Sequence, residues 1–102
     1  MLDAGCACGG LLKALQDRYR INYYKGIDIV EDQIEYARQR KDLKTPHDFA
    51  CRDISELDDG ERYDVVVSFS CVDFNYGVKG MLNSCWSKVR LGVFYSFIQT
   101  YG

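Results

Sequence analysis

Apolar and polar positions along the chain alternate between two rhythms. Short runs of β-branched and aromatic residues read as strands, and between them apolar residues recur every three or four positions, as in helices. Met1–Ala4 predicts the last part of a strand. The small-residue loop Gly5-Cys6-Ala7-Cys8-Gly9-Gly10 follows. Leu11, Leu12, Leu15 and Tyr19 then fall at helical spacing, with Arg18 and Arg20 in a last turn where cations complement the helix dipole. Tyr23–Ile29 predicts a second strand. Glu31–Arg40 predicts a second helix, with acids in its first turn, Ile34 and Ala37 on one face, and Arg38 and Arg40 at its end.

Beyond Pro46, Asp48–Cys51 predicts a third strand, and Asp58-Asp59-Gly60 marks a turn. Tyr63–Phe69 is the clearest strand, because Val65-Val66-Val67 suits a position covered on both faces. Val78, Met81, Leu82, Cys85, Trp86 and Val89 complete one helix face, Gly92 ends that segment, and Val93–Ile98 predicts a fifth strand. Strands alternating with helices predict an α/β fold with a parallel sheet and helices on both faces. Right-handed crossovers in a doubly wound arrangement give strand order 3-2-1-4-5.

Composition narrows the partners. With 102 residues the chain is about one small domain, 1–102. Its 47% hydrophobic content is too high for disorder. Thirteen Lys and Arg against fifteen Asp and Glu leave a net charge of −2, so bulk charge implies no nucleic acid partner. No apolar run reaches the ~18 residues of a membrane span, and Met1 starts no signal-peptide pattern. The expectation is a soluble, cytoplasmic protein. Five cysteines, an odd number, argue against a disulfide framework. Cys6 and Cys8 are spaced C-x-C with no second pair or His partner, so no metal site is expected; the thiols read as buried or half-buried. His47, the lone histidine, reads as a strand-entry residue rather than a base.

In doubly wound sheets, ligands bind beyond the carboxyl ends of the strands, at the switch point between the first and fourth. Asp3 places a carboxylate at the first strand's tip, before glycines that let backbone approach a ligand closely. The next helix offers free N–H groups. Asp28 ends the second strand, where an acceptor-only carboxylate can take both hydroxyls of a ribose. Asp53 follows the third strand, and Ser68 and Phe69 close the fourth. Each has an ordinary alternative, such as a cap or a solvated turn. Three carboxylates at successive strand ends follow from no packing need.

These motifs resemble the class I S-adenosylmethionine-dependent methyltransferases. Asp3-Ala4-Gly5-Cys6-Ala7-Cys8-Gly9 is similar to that family's acidic-x-Gly-x-Gly-x-Gly loop apart from Ala7. Gly26-Ile27-Asp28-Ile29 is similar to its ribose-binding strand end, Arg52-Asp53-Ile54 to its adenine motif, and Tyr63-Asp64-Val65-Val66-Val67-Ser68 to its fourth strand. The helix ending in Trp86–Arg90 and the following strand resemble its next elements. The resemblance covers nearly all of the chain. It implies a Rossmann-like sheet lacking the usual last two strands, an S-adenosyl-L-methionine cofactor and a small-molecule methyl acceptor. It further implies that Asp3 orients the methionine ammonium and that Gly5, Ala7 and Gly9 lie against methionine and ribose. Asp28 would hold the ribose hydroxyls, Ile29 would pack on adenine, Asp53 with Ile54 nearby would meet the adenine amino group, and Ser68 would lie near the methionine end. If φ at Ala7 is positive, alanine there costs on the order of 1 kcal/mol.

Two other readings stand beside this one. Gly5-x-Ala7-x-x-Gly10 with Asp28 also approximates the dinucleotide fingerprint of an NAD(P)-binding domain. A carboxylate at Asp3, before the loop, suits an ammonium better than a pyrophosphate. The chain also reads as incomplete at both ends, a non-catalytic fragment or a domain completed by another polypeptide, with the fifth strand an exposed edge that invites self-association. Methyl transfer from a sulfonium needs alignment above all, and a base only if the acceptor must lose a proton. Asp73 follows the fourth strand but reads more simply as a cap, so the catalytic residue is unknown. Asp73-Phe74-Asn75-Tyr76 is not the Asp/Asn-Pro-Pro-Tyr/Phe signature of nucleic acid amino-group methyltransferases.

Overall fold

The computed structural model describes residues 1–57, 61–72 and 89–97, with side chains through Ser68. Its elements run β1 (Leu2–Ala4), α1 (Gly10–Leu15), β2 (Tyr24–Asp28), α2 (Glu31–Arg38), β3 (His47–Cys51), a 3-10 turn (Ile54–Glu56), β4 (Tyr63–Val72) and β5 (Val89–Phe97). The sheet is parallel, in the expected order β3-β2-β1-β4-β5. Three residues suffice for β1 because a strand bonds it on each side: Asp3 lies opposite Gly26 of β2 and Val67 of β4. No helix among the described residues is long and apolar enough to cross a membrane.

Side-chain alternation divides the core between the two sheet faces. Leu2, Ala4, Ile27 and Val66 pack with Ile54 and Leu57 on one face. Leu12 of α1 and Ile34 and Ala37 of α2 pack with Cys6, Tyr24 and Phe49 on the other. The described helices α1 and α2 thus share a face, and the 3-10 turn covers the opposite one. Val66 and Val67 are both buried, as a doubly covered strand requires.

The boundaries depart from the sequence pattern in three places. Helix α1 stops at Leu15, so Arg18 and Arg20 lie beyond it and Tyr19 is 63% exposed. Gln16 ties the end of α1 to the segment after α2, donating from Nε2 to Asp42 O at 2.7 Å and accepting from Lys44 N–H at 2.8 Å. Helix α2 stops at Arg38, whose guanidinium donates to Phe49 O of β3, and Arg40 lies past the end. Strand β5 begins at Val89, so Val89 and Arg90 leave the expected helix and Gly92 pairs opposite Val65 within the sheet. The rest of that helix, the turn at 58–60 and Asp73 lie outside the described residues.

Candidate cofactor site at the carboxyl edge of the sheet

The loop after β1 is docked onto the end of β2 by backbone groups. Gly5 N–H and Cys6 N–H both donate to Ile27 O, at 2.7 and 3.0 Å, and Gly9 N–H donates to Cys6 O at 3.0 Å. This tight path needs left-handed backbone at Gly5 (φ 87°) and Gly9 (φ 83°). A Cβ at Gly9 would stand 2.9 Å from the Phe49 ring. Ala7 also adopts positive φ, 48°, so of the two conformations open to this alanine the fold uses the strained one. Behind the loop, the Arg40 guanidinium donates to Cys8 O at 3.2 Å while it pairs with both carboxylate oxygens of Asp42.

Asp28 joins loop and strand. Its Oδ2 accepts from Ala7 N–H and its Oδ1 from Val30 N–H, each at 2.9 Å. Each oxygen keeps further acceptor capacity, since a carboxylate takes about four donors. Asp28 is therefore more than a helix cap: it fixes the loop against the strand end.

Asp3 is 2% exposed and accepts a 2.5 Å hydrogen bond at Oδ2 from the Tyr24 hydroxyl. Burial pushes its carboxyl pKa up to about 6, with Asp28 adding like charge and the Tyr24 bond opposing both. The Tyr24 hydroxyl and the Cys6 thiol are pushed up in turn, chiefly by burial and then by the Asp3 carboxylate. This corner of the site is dry and acidic.

The other expected residues flank this centre. Asp53 is exposed and caps the 3-10 turn: its Oδ1 accepts from Ser55 N–H at 3.1 Å, and its own N–H donates to Glu56 Oε1 at 3.4 Å. Ile54 beside it is buried in the core, 3% exposed. Ile29 and Val30, straight after Asp28, are 71% and 49% exposed, an uncovered apolar step at the site's rim. Ser68 is fully buried in β4, opposite Tyr95 of β5. The Cys51 thiol, exposed at the end of β3, reaches Ile29 O at 3.6 Å, and His47 stands exposed at the entry of β3. Tyr24 and Arg40 were missed as parts of the site. Their roles depend on strand register and on a contact across 32 positions, which leave no local signal.

A groove of about 1040 Å³ lies elsewhere, lined by Leu11, Leu15, Tyr23, Tyr63 and Val65 among others, and none of the expected site residues lines it.

Known proteins match this arrangement. A family described as a methyltransferase domain matches residues 2–92. Malonyl-[acyl-carrier protein] O-methyltransferase of Acetivibrio thermocellus is 37% identical over 90 residues, 88% of this chain and 31% of that protein. The enzyme of the same name from Bacillus anthracis is 32% identical over 91 residues, 89% of this chain and 34% of that protein. The chain thus spans about a third of the length of these relatives. Among solved structures, the plantazolicin methyltransferase BpumL in complex with a pentazolic desmethylPZN analog and SAH superposes with TM-score 0.79 at 22% identity, covering 95% of this chain and 38% of that one. Magnesium protoporphyrin IX methyltransferase from Synechocystis PCC 6803 with bound SAM superposes with TM-score 0.69 at 25% identity, covering 86% and 43%. The family match and the malonyl-[acyl-carrier protein] relatives, on a fold with this strand order, place the chain in the class I S-adenosylmethionine-dependent methyltransferase family.

Proposed function

We propose that the chain is the cofactor-binding part of an S-adenosylmethionine-dependent methyltransferase acting on a small-molecule acceptor. The observation that carries this reading is Asp28, whose two oxygens tie Ala7 and Val30 to the strand end while retaining acceptor capacity for a ribose diol. The residues present fit the cofactor. Gly5 and Gly9 keep Cβ atoms off the loop, and Asp3 offers a buried carboxylate that no salt bridge reaches among the described residues. In this reading Asp3 takes the ammonium, Gly5, Ala7 and Gly9 lie along methionine and ribose, and Asp28 holds the ribose hydroxyls. Ile29 covers adenine and Asp53 accepts from its amino group. Ile54 supports Asp53 from the core and Ser68 lines the methionine end.

When bound, S-adenosylmethionine supplies an electrophilic methyl group on a sulfonium. The chain's own contribution is to orient the cofactor and exclude water around it. The small-molecule acceptor follows from the family resemblance, and the −2 charge supplies no field that would favour a polyanion instead. Free thiols at Cys6, Cys8 and Cys51 support a cytoplasmic setting. Strand β5 at the sheet's edge, among the described strands, supports self-association or a completing chain there. Calorimetry with S-adenosylhomocysteine and with NAD tests the central reading. Heat with the first alone supports it, and heat with NAD alone overturns it.

A further inference from the structure

Tyr24 opens β2 and is fully buried, with its ring edge-on to Phe49 at a centroid distance of 5.9 Å and packed with Leu12, Ile34 and Ala37. Packing at this position needs only an apolar ring. A phenol at this depth also needs an acceptor. The acceptor it has is the Asp3 carboxylate, at 2.5 Å, within the range of charge-assisted O–H···O bonds.

We propose that Tyr24 is a positioning residue for the cofactor: its hydroxyl holds the Asp3 carboxylate ionised and in one orientation, leaving Oδ1 to receive the ammonium of the cofactor's amino-acid end. This rests on the reading of Asp3 given above. Burial opposes the charge on Asp3 and Asp28 repels it, while the Tyr24 bond favours the ionised form. The titratable groups acting on Asp3 among the described residues come from β2 (Tyr24 and Asp28), with Cys6 of the loop coupled to it in turn. The β4 residue opposite Asp3 is Val67, and α1 and α2 bring Leu12, Ile34 and Ala37 to this face, none of them titratable. Tyr24→Phe keeps the ring and removes one donor, so Asp3 takes up a proton at higher pH.

The test is calorimetry on the whole 102-residue chain and its Tyr24→Phe variant between about pH 6 and pH 8.5. The ligands are S-adenosylhomocysteine and 5′-methylthioadenosine, which lacks the ammonium. The variant is expected to bind S-adenosylhomocysteine about tenfold more weakly near pH 6.5 and within about twofold of wild type near pH 8.5. Its affinity for 5′-methylthioadenosine matches wild type throughout. An equal loss at every pH, or no loss at any, overturns the proposal. If the wild type binds neither ligand, the cofactor reading itself fails; if it binds both and only the variant's pH profile is unchanged, Tyr24 alone is misassigned. A second measurement needs no variant. In the wild type the Tyr24 hydroxyl proton is expected far downfield in the NMR spectrum, moving with the same pH midpoint as S-adenosylhomocysteine affinity, and a different midpoint overturns the proposal.

Discussion

Asp3→Asn is expected to stabilise the chain at neutral pH and weaken S-adenosylhomocysteine binding. Burial raises the Asp3 pKa from its ordinary 3.8 to about 6. The folded state therefore binds this proton more tightly than the unfolded state. Its stabilising effect is complete below the ordinary value and is lost as pH rises through about 6. Ionised at neutral pH, the buried carboxylate costs on the order of 3 kcal/mol, roughly 2 kcal/mol of it between about pH 4.5 and pH 7.5. Asparagine carries no charge and still offers Tyr24 a carbonyl acceptor. Its amide N–H groups arrive without assured partners, at about 1–3 kcal/mol. The net expectation is a gain of about 1 kcal/mol near pH 7.5 and a loss of about 1 kcal/mol near pH 4.5. Urea denaturation of both proteins at the two pH values measures this crossing. A stability difference that does not change with pH would mean Asp3 is not the buried, perturbed acid described above.

Two further substitutions probe the loop and the strand beneath it. Ala7→Gly relieves left-handed strain of about 1–2 kcal/mol and adds unfolded-state freedom worth about 0.4–1 kcal/mol, for a net stabilisation of about 0.5–1 kcal/mol by denaturant midpoint. A lower midpoint would refute the positive φ. Gly26→Ala puts a Cβ 2.8 Å from the Phe49 ring and 2.9 Å from the Cys6 thiol, and overpacking of this kind costs about 1–3 kcal/mol. Combining it with Phe49→Leu is expected to recover part of that loss, and no recovery would place the clash elsewhere.

The sequence made the scaffold legible because alternation of strand and helix signals leaves few ways to wind a parallel sheet. The strand ends carrying Asp3, Asp28 and Asp53 follow directly from that winding. Details that depend on chain geometry were not legible. Alanine is compatible with either sign of φ on composition alone, so the conformation of Ala7 required the docked loop. Gly26 reads as part of a motif, whereas the structure gives it a packing reason, the Phe49 ring above it. Tyr24 reads as a strand-forming aromatic, and its bond to Asp3 appears only once Leu2 is set opposite Lys25. Val89 completes a helical spacing, yet it also begins the run Val89–Phe97, and the β-branched and aromatic residues there prevail. Periodicity alone cannot decide between two patterns that share a residue.

The docking of the loop onto β2 also bears on how the site comes into being. Gly5, Cys6 and Ala7 are held by Ile27 and Asp28, partners more than 20 positions away. An N-terminal peptide ending before Ile27 has nothing to shape that loop, so the site assembles only when β1 and β2 have found each other. Such non-local closure is slow relative to helix formation, and it leaves the glycine-rich stretch open to proteases until it is complete. A ligand that bridges loop and strand end draws on the closed population, so its binding should protect this stretch from cleavage in proportion to its concentration over Kd.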